Sequence, residues 1–153
     1  MVWHALIDAG SGVINNLFDN LSVYQGEPRV DTILLTHWHP DHTLGLNQLC
    51  ESLHRSRERL GLTADNKIPL WCRSGTKARL NNSHSYELGR FLYLAGIEQE
   101  NEPPGRLLNS LEFPDVGVEI QPITTSHVTA DLEGMYCTAG SIVSGPKRCA
   151  GLI

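Results

Sequence analysis

An α/β domain is the fold class this sequence predicts, on two observations. Short apolar runs with strand character alternate with longer stretches of helical spacing, the order that builds a sheet covered by helices. One such run, Ile33-Leu34-Leu35-Thr36, leads directly into His37-Trp38-His39-Pro40-Asp41-His42, four potential metal ligands within six residues at a strand end.

The elements follow in chain order. Ala5-Leu6-Ile7-Asp8 reads as a short buried strand, ended by Ala9-Gly10-Ser11-Gly12. Val13 to Asn20 is a helix candidate, Gln25-Gly26-Glu27-Pro28 a turn, and Val30 to Thr36 the next strand. From Thr43 to Leu60 the spacing is helical. Leu44, Leu46, Leu49, Leu53 and Leu60 are apolar, and Glu51, Arg55, Arg57, Glu58 and Arg59 form a solvated face. Lys67 to Cys72 reads as a strand, Thr76 to Leu80 opens a second helix, and Glu87 to Leu94 predicts a third, ending near Gly96. Asn101 to Gly105 is a loop. Val116 to Ile123 sets Val116, Val118 and Ile120 against Gly117, Glu119 and Gln121, a half-buried strand, and Met135 to Val143 supplies one more. The sequence has no internal repeat and no low-complexity segment.

At 153 residues, the whole of 1–153 is expected to form one domain with a core of its own. A net charge of −5 offers no basic field, so nucleic acid is not the favoured partner, although a local patch is compatible with it. No apolar run reaches the roughly 20 residues of a membrane span. Met1-Val2-Trp3-His4 leads straight into a strand, without the pattern of a signal peptide. Cys50, Cys72, Cys137 and Cys149 are far apart and form no Cys-x-x-Cys pair. They are expected to be reduced and mostly buried, in a cytoplasmic protein.

The chemistry lies in the His-rich loop. Side chains of an extended segment alternate faces, so His37, His39 and Asp41 start on one side of the chain. His42 opens the following helix and can swing to the same pocket. Imidazole with carboxylate suits zinc, manganese or iron in a hydrolytic site.

His37-x-His39-x-Asp41-His42 resembles the signature of the metallo-β-lactamase-fold hydrolases. The flanks agree, with Ile33-Leu34-Leu35-Thr36 before it and Thr43-Leu44-Gly45-Leu46 after it. Leu6-Ile7-Asp8-Ala9-Gly10 is similar to the family's strand-ending Asp-x-Gly segment. His127, in Pro122-Ile123-Thr124-Thr125-Ser126-His127, sits where the family's next metal-binding histidine is expected. The resemblance runs from about residue 5 to about residue 140. It implies an αββα sandwich of two mixed sheets with helices outside, here incomplete. The chain starts almost on the Asp-x-Gly segment, and after His127 there is neither a strand bearing a bridging Asp nor a last His. The expectation is a family domain clipped at both ends.

By the same resemblance, His37, His39 and His127 would hold one metal with a position left for water, and Asp41 and His42 a second, more weakly. The implied cofactor is Zn2+, one ion or two, with Mn2+ or Fe2+ as alternatives. A metal-activated water would attack phosphorus or a carbonyl carbon, with Asp41 as the catalytic residue that orients it or takes its proton. Asp8 would orient a histidine of the metal loop. Capping of the Gly10-Ser11-Gly12 turn is an equal and compatible role for it.

Thr43-Leu44-Gly45-Leu46 looks more like the phosphodiesterase branch, which includes ribonuclease Z and the cyclic phosphodiesterases, than like the thioesterase and lactamase branches. With the acidic charge, this favours a small phosphodiester substrate over tRNA. The alternatives are another hydrolase of the fold, acting on a thioester, lactone or β-lactam, or a truncated non-catalytic metal-binding domain. A homodimer is expected from the phosphodiesterase-like members. Trp38 is expected beside the site or lining its pocket. Thr125 and Ser126 suit turn chemistry or substrate contact, and Arg73 an exposed position or a phosphate contact. His84, His4 and His54 are expected on the surface or in structural roles.

Overall fold

A computed structural model describes residues 3–25, 30–59, 61, 67–73, 76–80, 88–89, 91–97, 109–125 and 137–144. Four strands, β1 (Ala5–Ile7), β2 (Thr32–Leu34), β3 (Ile68–Arg73) and β4 (Leu92–Ile97), form one sheet in the order β1-β2-β3-β4, every pair parallel. Three more, β5 (Leu111–Phe113), β6 (Val118–Thr125) and β7 (Cys137–Ser144), form an antiparallel sheet in the order β5-β6-β7. Helix α1 (Val13–Gln25) crosses from β1 to β2. The short α2 (Pro40–Thr43) and the longer α3 (Leu46–Arg59) cross from β2 to β3.

Strand alternation sends each face of the parallel sheet to a different neighbour. Ile33, Leu35, Ile68, Leu70, Cys72 and Leu92 face the helices and pack with Leu46, Leu49, Cys50 and Leu53 of α3 and with Val13, Ile14 and Leu17 of α1. Leu34 and Trp71 point to the other side, where they meet Leu111, Phe113, Val118 and Ile120 of the antiparallel sheet. Phe113 sits at the centre of that seam, 4.8 Å from the ring of Trp3 and 6.3 Å from that of Trp71. The described residues therefore build three layers of the expected αββα sandwich: helices, parallel sheet, antiparallel sheet. Neither described sheet is mixed, in contrast to the expectation.

Several elements differ from the sequence reading, and β1, expected to be buried, is instead an edge strand of the described sheet, with Leu6 half-buried and Ile7 37% exposed. The run Leu88 to Leu94 has helical spacing, and residues 88, 89 and 91 are helical, but Leu92–Ile97 is a strand. Six register pairs with β3, from Ile68↔Leu92 to Arg73↔Ile97, outweigh the local preference of a short apolar run that suits either state. The helix expected from Thr43 is broken. The N–H of Gly45 donates to the carbonyl of Ala9 at 2.9 Å instead of continuing the helical ladder, which separates α2 from α3 and leaves Leu44 67% exposed. The strand expected from Val116 begins at Val118, because Pro114–Val116 forms a 3-10 turn closed by Gly117 in the left-handed region at φ 66°. β5 was not expected at all.

Candidate metal centre

Parallel pairing of β1 with β2 brings the segments that follow their carboxyl ends side by side, and hydrogen bonds lace them together. The N–H of Asp8 donates to Leu34 O at 2.8 Å and that of Ala9 to His42 O at 2.7 Å. Gly10 lies against the Asp41 backbone, so close that a Cβ there would overlap the Asp41 carbonyl oxygen; Gly45 lies against Gly10 in the same way. Thr43 Oγ1 reaches back to the carbonyls of Trp38 (3.2 Å) and His39 (3.0 Å). Pro40, at the first position of α2, suits the fixed φ required there. The His-rich loop is thus held from both sides by main-chain contacts.

Asp8 is the hub. It adopts φ 59°, a left-handed conformation that an Asp tolerates better than most residues. Its Oδ1 accepts the Thr36 N–H at 2.8 Å, its Oδ2 accepts the Thr36 hydroxyl at 2.8 Å, and Oδ2 also lies 2.6 Å from His42 Nδ1. A carboxylate has no proton to give, so His42 Nδ1 donates, and in the tautomer that can bind a metal the lone pair is on Nε2. Thr36 Oγ1, having donated its own proton to Asp8, accepts from His37 Nδ1 at 3.0 Å. The lone pair of His37 is then also on Nε2. One carboxylate sets two imidazoles, one directly and one through a hydroxyl.

Both oriented nitrogens face a second donor. His37 Nε2 lies 2.9 Å from His39 Nδ1, and His42 Nε2 lies 3.3 Å from Asp41 Oδ2. Two ligands of a tetrahedral zinc at bond lengths of about 2.0–2.1 Å stand roughly 3.3 Å apart. The His42–Asp41 pair is at that separation and the His37–His39 pair a few tenths of an ångström tighter. The donor types and spacings fit a divalent cation at each pair. Among the described residues no group of three or more His, Cys, Asp or Glu surrounds a single point. The rings of His37 and His42 are 4.0 Å apart, so the two pairs are neighbours. His37 is buried at 6% exposure, His39 and His42 are half-buried, and the Asp41 side chain is 77% exposed.

The structure brings together Asp8, His37, His39, Asp41 and His42. His127, along with Ser126 and His84, lies outside the described residues. Arg73, for which an exposed position was one expectation, is instead 2% exposed at the end of β3. Trp38 packs edge-on against His39 with ring centroids 5.4 Å apart. His4 and His54 are half-buried. The main-chain N–H of His4 donates to Asp31 Oδ2 at 2.9 Å, and the His54 ring lies between Glu58 (3.2 Å) and Phe91 (4.9 Å). Sequence reasoning missed Thr36, whose only signal was a hydroxyl residue directly before the first histidine. It also missed Arg79, whose guanidinium sits 4.1 Å over the Trp38 ring. Cys50 and Cys72 are free and buried, and burial pushes each thiol up to about 12, with Lys77 pulling Cys72 slightly the other way.

A family model described as a beta-lactamase superfamily domain matches residues 4–150. Three solved structures share the fold. A diphosphatase from the PhnP family superposes with a TM-score of 0.61 at 17% identity, over 90% of this chain and 43% of its own. The metallo-beta-lactamase fold protein YhfI from Bacillus subtilis gives 0.62 at 19%, over 93% and 48%. Zn(2+)-bound PqqB from Methylobacterium extorquens gives 0.63 at 17%, over 94% and 46%. The chain spans a little under half the length of each of these three proteins. No curated protein matches it. Among the described residues no helix is long and apolar enough to cross a membrane.

Proposed function

We propose that this chain, which belongs to the beta-lactamase superfamily, is a metal-dependent hydrolase of small or cyclic phosphodiesters. The observation that carries the reading is the pairing of donors, His37 Nε2 with His39 Nδ1 and His42 Nε2 with Asp41 Oδ2, each at ligand-to-ligand spacing. His37 and His39 would hold one divalent ion, with His127 as the further ligand, and Asp41 and His42 a second, Zn2+ being the ion that best suits the set. Bound between these donors, a divalent ion would supply a water of lowered pKa and positive charge for the oxygens of the reacting group.

The chain's own groups do the rest. Asp8 and Thr36 keep the Nδ1 protons of His42 and His37 in place, so neither ring has to rotate or change tautomer when its Nε2 is used. Asp41 reaches solvent and would orient the entering water or take its proton. Two features support phosphorus over carbon as the centre attacked, the Gly45-Leu46 flank and the likeness in fold to a PhnP-family diphosphatase, and the net charge of −5 with no basic field favours a small diester over a nucleic acid.

The test is elemental analysis of protein purified without added metal, together with hydrolysis of bis-(p-nitrophenyl) phosphate. The expected result is at least one zinc per chain and turnover that disappears in His37→Ala. Less than one metal per chain with no turnover would replace this reading with a non-catalytic domain. Turnover of a thioester or lactone but not of the diester would move it to another branch of the fold.

A further inference from the structure

The His-rich loop contains an aromatic side chain that is neither a ligand candidate nor apolar filling of the core. Trp38 stands between His37 and His39, packs edge-on against His39, and has the guanidinium of Arg79 4.1 Å over its ring. Arg79 belongs to the helical residues 76–80 that follow the carboxyl end of β3, so the third strand of the sheet delivers a cation to the loop that follows the second. Arg73, which the sequence offers as a phosphate contact, is buried at 2% exposure, whereas Arg79 is half-buried. In a chain of net charge −5, Arg79 is a cation that Trp38 holds one side chain away from His39.

From this stack we propose that Arg79 is the specificity-determining residue of the site. It holds the negative charge of an anionic phosphoester and so separates it from a neutral ester. The role rests on the hydrolase reading above. Stacking on an indole engages the flat face of a guanidinium, and hydrogen bonds to phosphate oxygens are made by its N–H edge, so one side chain can do both. Trp38 pre-orders the long Arg79 side chain and lowers the entropy lost when an anion is gripped. A lysine in its place keeps the charge but loses the flat face and the fork.

The experiment compares wild type, Arg79→Gln and Arg79→Lys on an anionic substrate, bis-(p-nitrophenyl) phosphate, and a neutral one, p-nitrophenyl acetate. The ratio of the two kcat/KM values is expected to fall about tenfold to a hundredfold in Arg79→Gln, through KM for the anion, with Arg79→Lys in between. A purely structural role would lower both substrates together and leave the ratio unchanged, which overturns the proposal. Metal content, measured on the same samples, is expected to match wild type. Calorimetric titration with inorganic phosphate gives an answer independent of turnover. Weaker binding by Arg79→Gln, about tenfold, supports the proposal, and equal affinity in the two proteins overturns it. Should wild type turn over neither substrate, the hydrolase reading falls while the titration still decides the role of Arg79.

Discussion

Gly10→Ala puts a methyl group into the crossing of the two loops that build the site. Its Cβ would meet the Asp41 carbonyl oxygen far inside the 3.0 Å that real Cβ atoms keep, with the Asp41 carbonyl carbon at 3.0 Å and His42 N at 3.9 Å behind it. All three obstacles are backbone, so no rotamer change relieves them, and the Asp41–His42 segment has to retreat by about 1 Å, a displacement for which a loss of about a hundredfold in rate is expected. The same retreat stretches the contacts of 2.6 Å between His42 Nδ1 and Asp8 and 2.7 Å between Ala9 N–H and His42 O. Both pass about 3.5 Å, beyond which a hydrogen bond is no longer made. Overpacking of this kind costs about 1–3 kcal/mol, and in a domain of this size each kcal/mol lowers Tm by roughly 2–4 °C. The assays are thermal unfolding by circular dichroism and zinc titration against a chromophoric chelator. Gly12→Ala is the control. It strains a φ of 83°, costing about 1–2 kcal/mol, but meets no atom within 4 Å. Gly12→Ala is expected to lose stability and keep zinc affinity, whereas Gly10→Ala is expected to lose both. Wild-type zinc affinity in Gly10→Ala would refute the reasoning.

Other substitutions and conditions have equally definite outcomes. Asp8→Asn keeps a residue that tolerates φ 59° but removes the charge that holds His42 Nδ1–H, and zinc affinity is expected to fall about 10- to 100-fold with little change in fold; equal affinity would show that Asp8 only caps its turn. Leu49→Ala empties a fully buried position of α3 against the parallel sheet and is expected to cost about 2–5 kcal/mol in urea unfolding. Cys50 and Cys72 have pKa values raised by burial from 9.0 to about 12. Both thiols should therefore resist iodoacetamide at pH 8 until the protein unfolds. Because the folded pKa lies above the unfolded one, their contribution to stability is complete below about pH 9 and drains away as pH rises toward about 12. Stability that does not fall across that window in a pH series of urea melts would contradict this assignment.

The metal loop was legible because its information is local. Four ligand residues in six, placed after an apolar run, signal a site without any long-range contact, and the structure puts His37 beside His39 as the alternation of an extended chain requires, whereas Asp41 meets its neighbour His42 because both lie in helix α2 and not in an extended segment. The Asp8 to Gly10 segment was legible as a pattern, but its two reasons are tertiary: a carboxylate that reaches across to Thr36 and His42, and a glycine that lets Asp41 approach. The strand at Leu92–Ile97 was misread because leucines at 88 and 92 with Phe91 satisfy a helix as well as a strand, and only β3 beside them selects the extended form.

By itself the sequence determined the α/β class, the first two strands and their intervening helix, the burial of Cys50 and Cys72 and the four ligand-type side chains of the loop, with Asp8 added by the family resemblance. These depend on periodicity and on residue type, which are properties of neighbours along the chain. Tertiary structure alone decided the partners. Parallel pairing of β1 with β2 put Asp8 against His42, Thr36 became the link from Asp8 to His37, the close approach of Gly10 and Gly45 broke one long helix into α2 and α3, and the helical residues 76–80 carried Arg79 onto Trp38. Each of these joins residues tens of positions apart, and no local pattern encodes which of many compatible surfaces will be adjacent once the strands have paired.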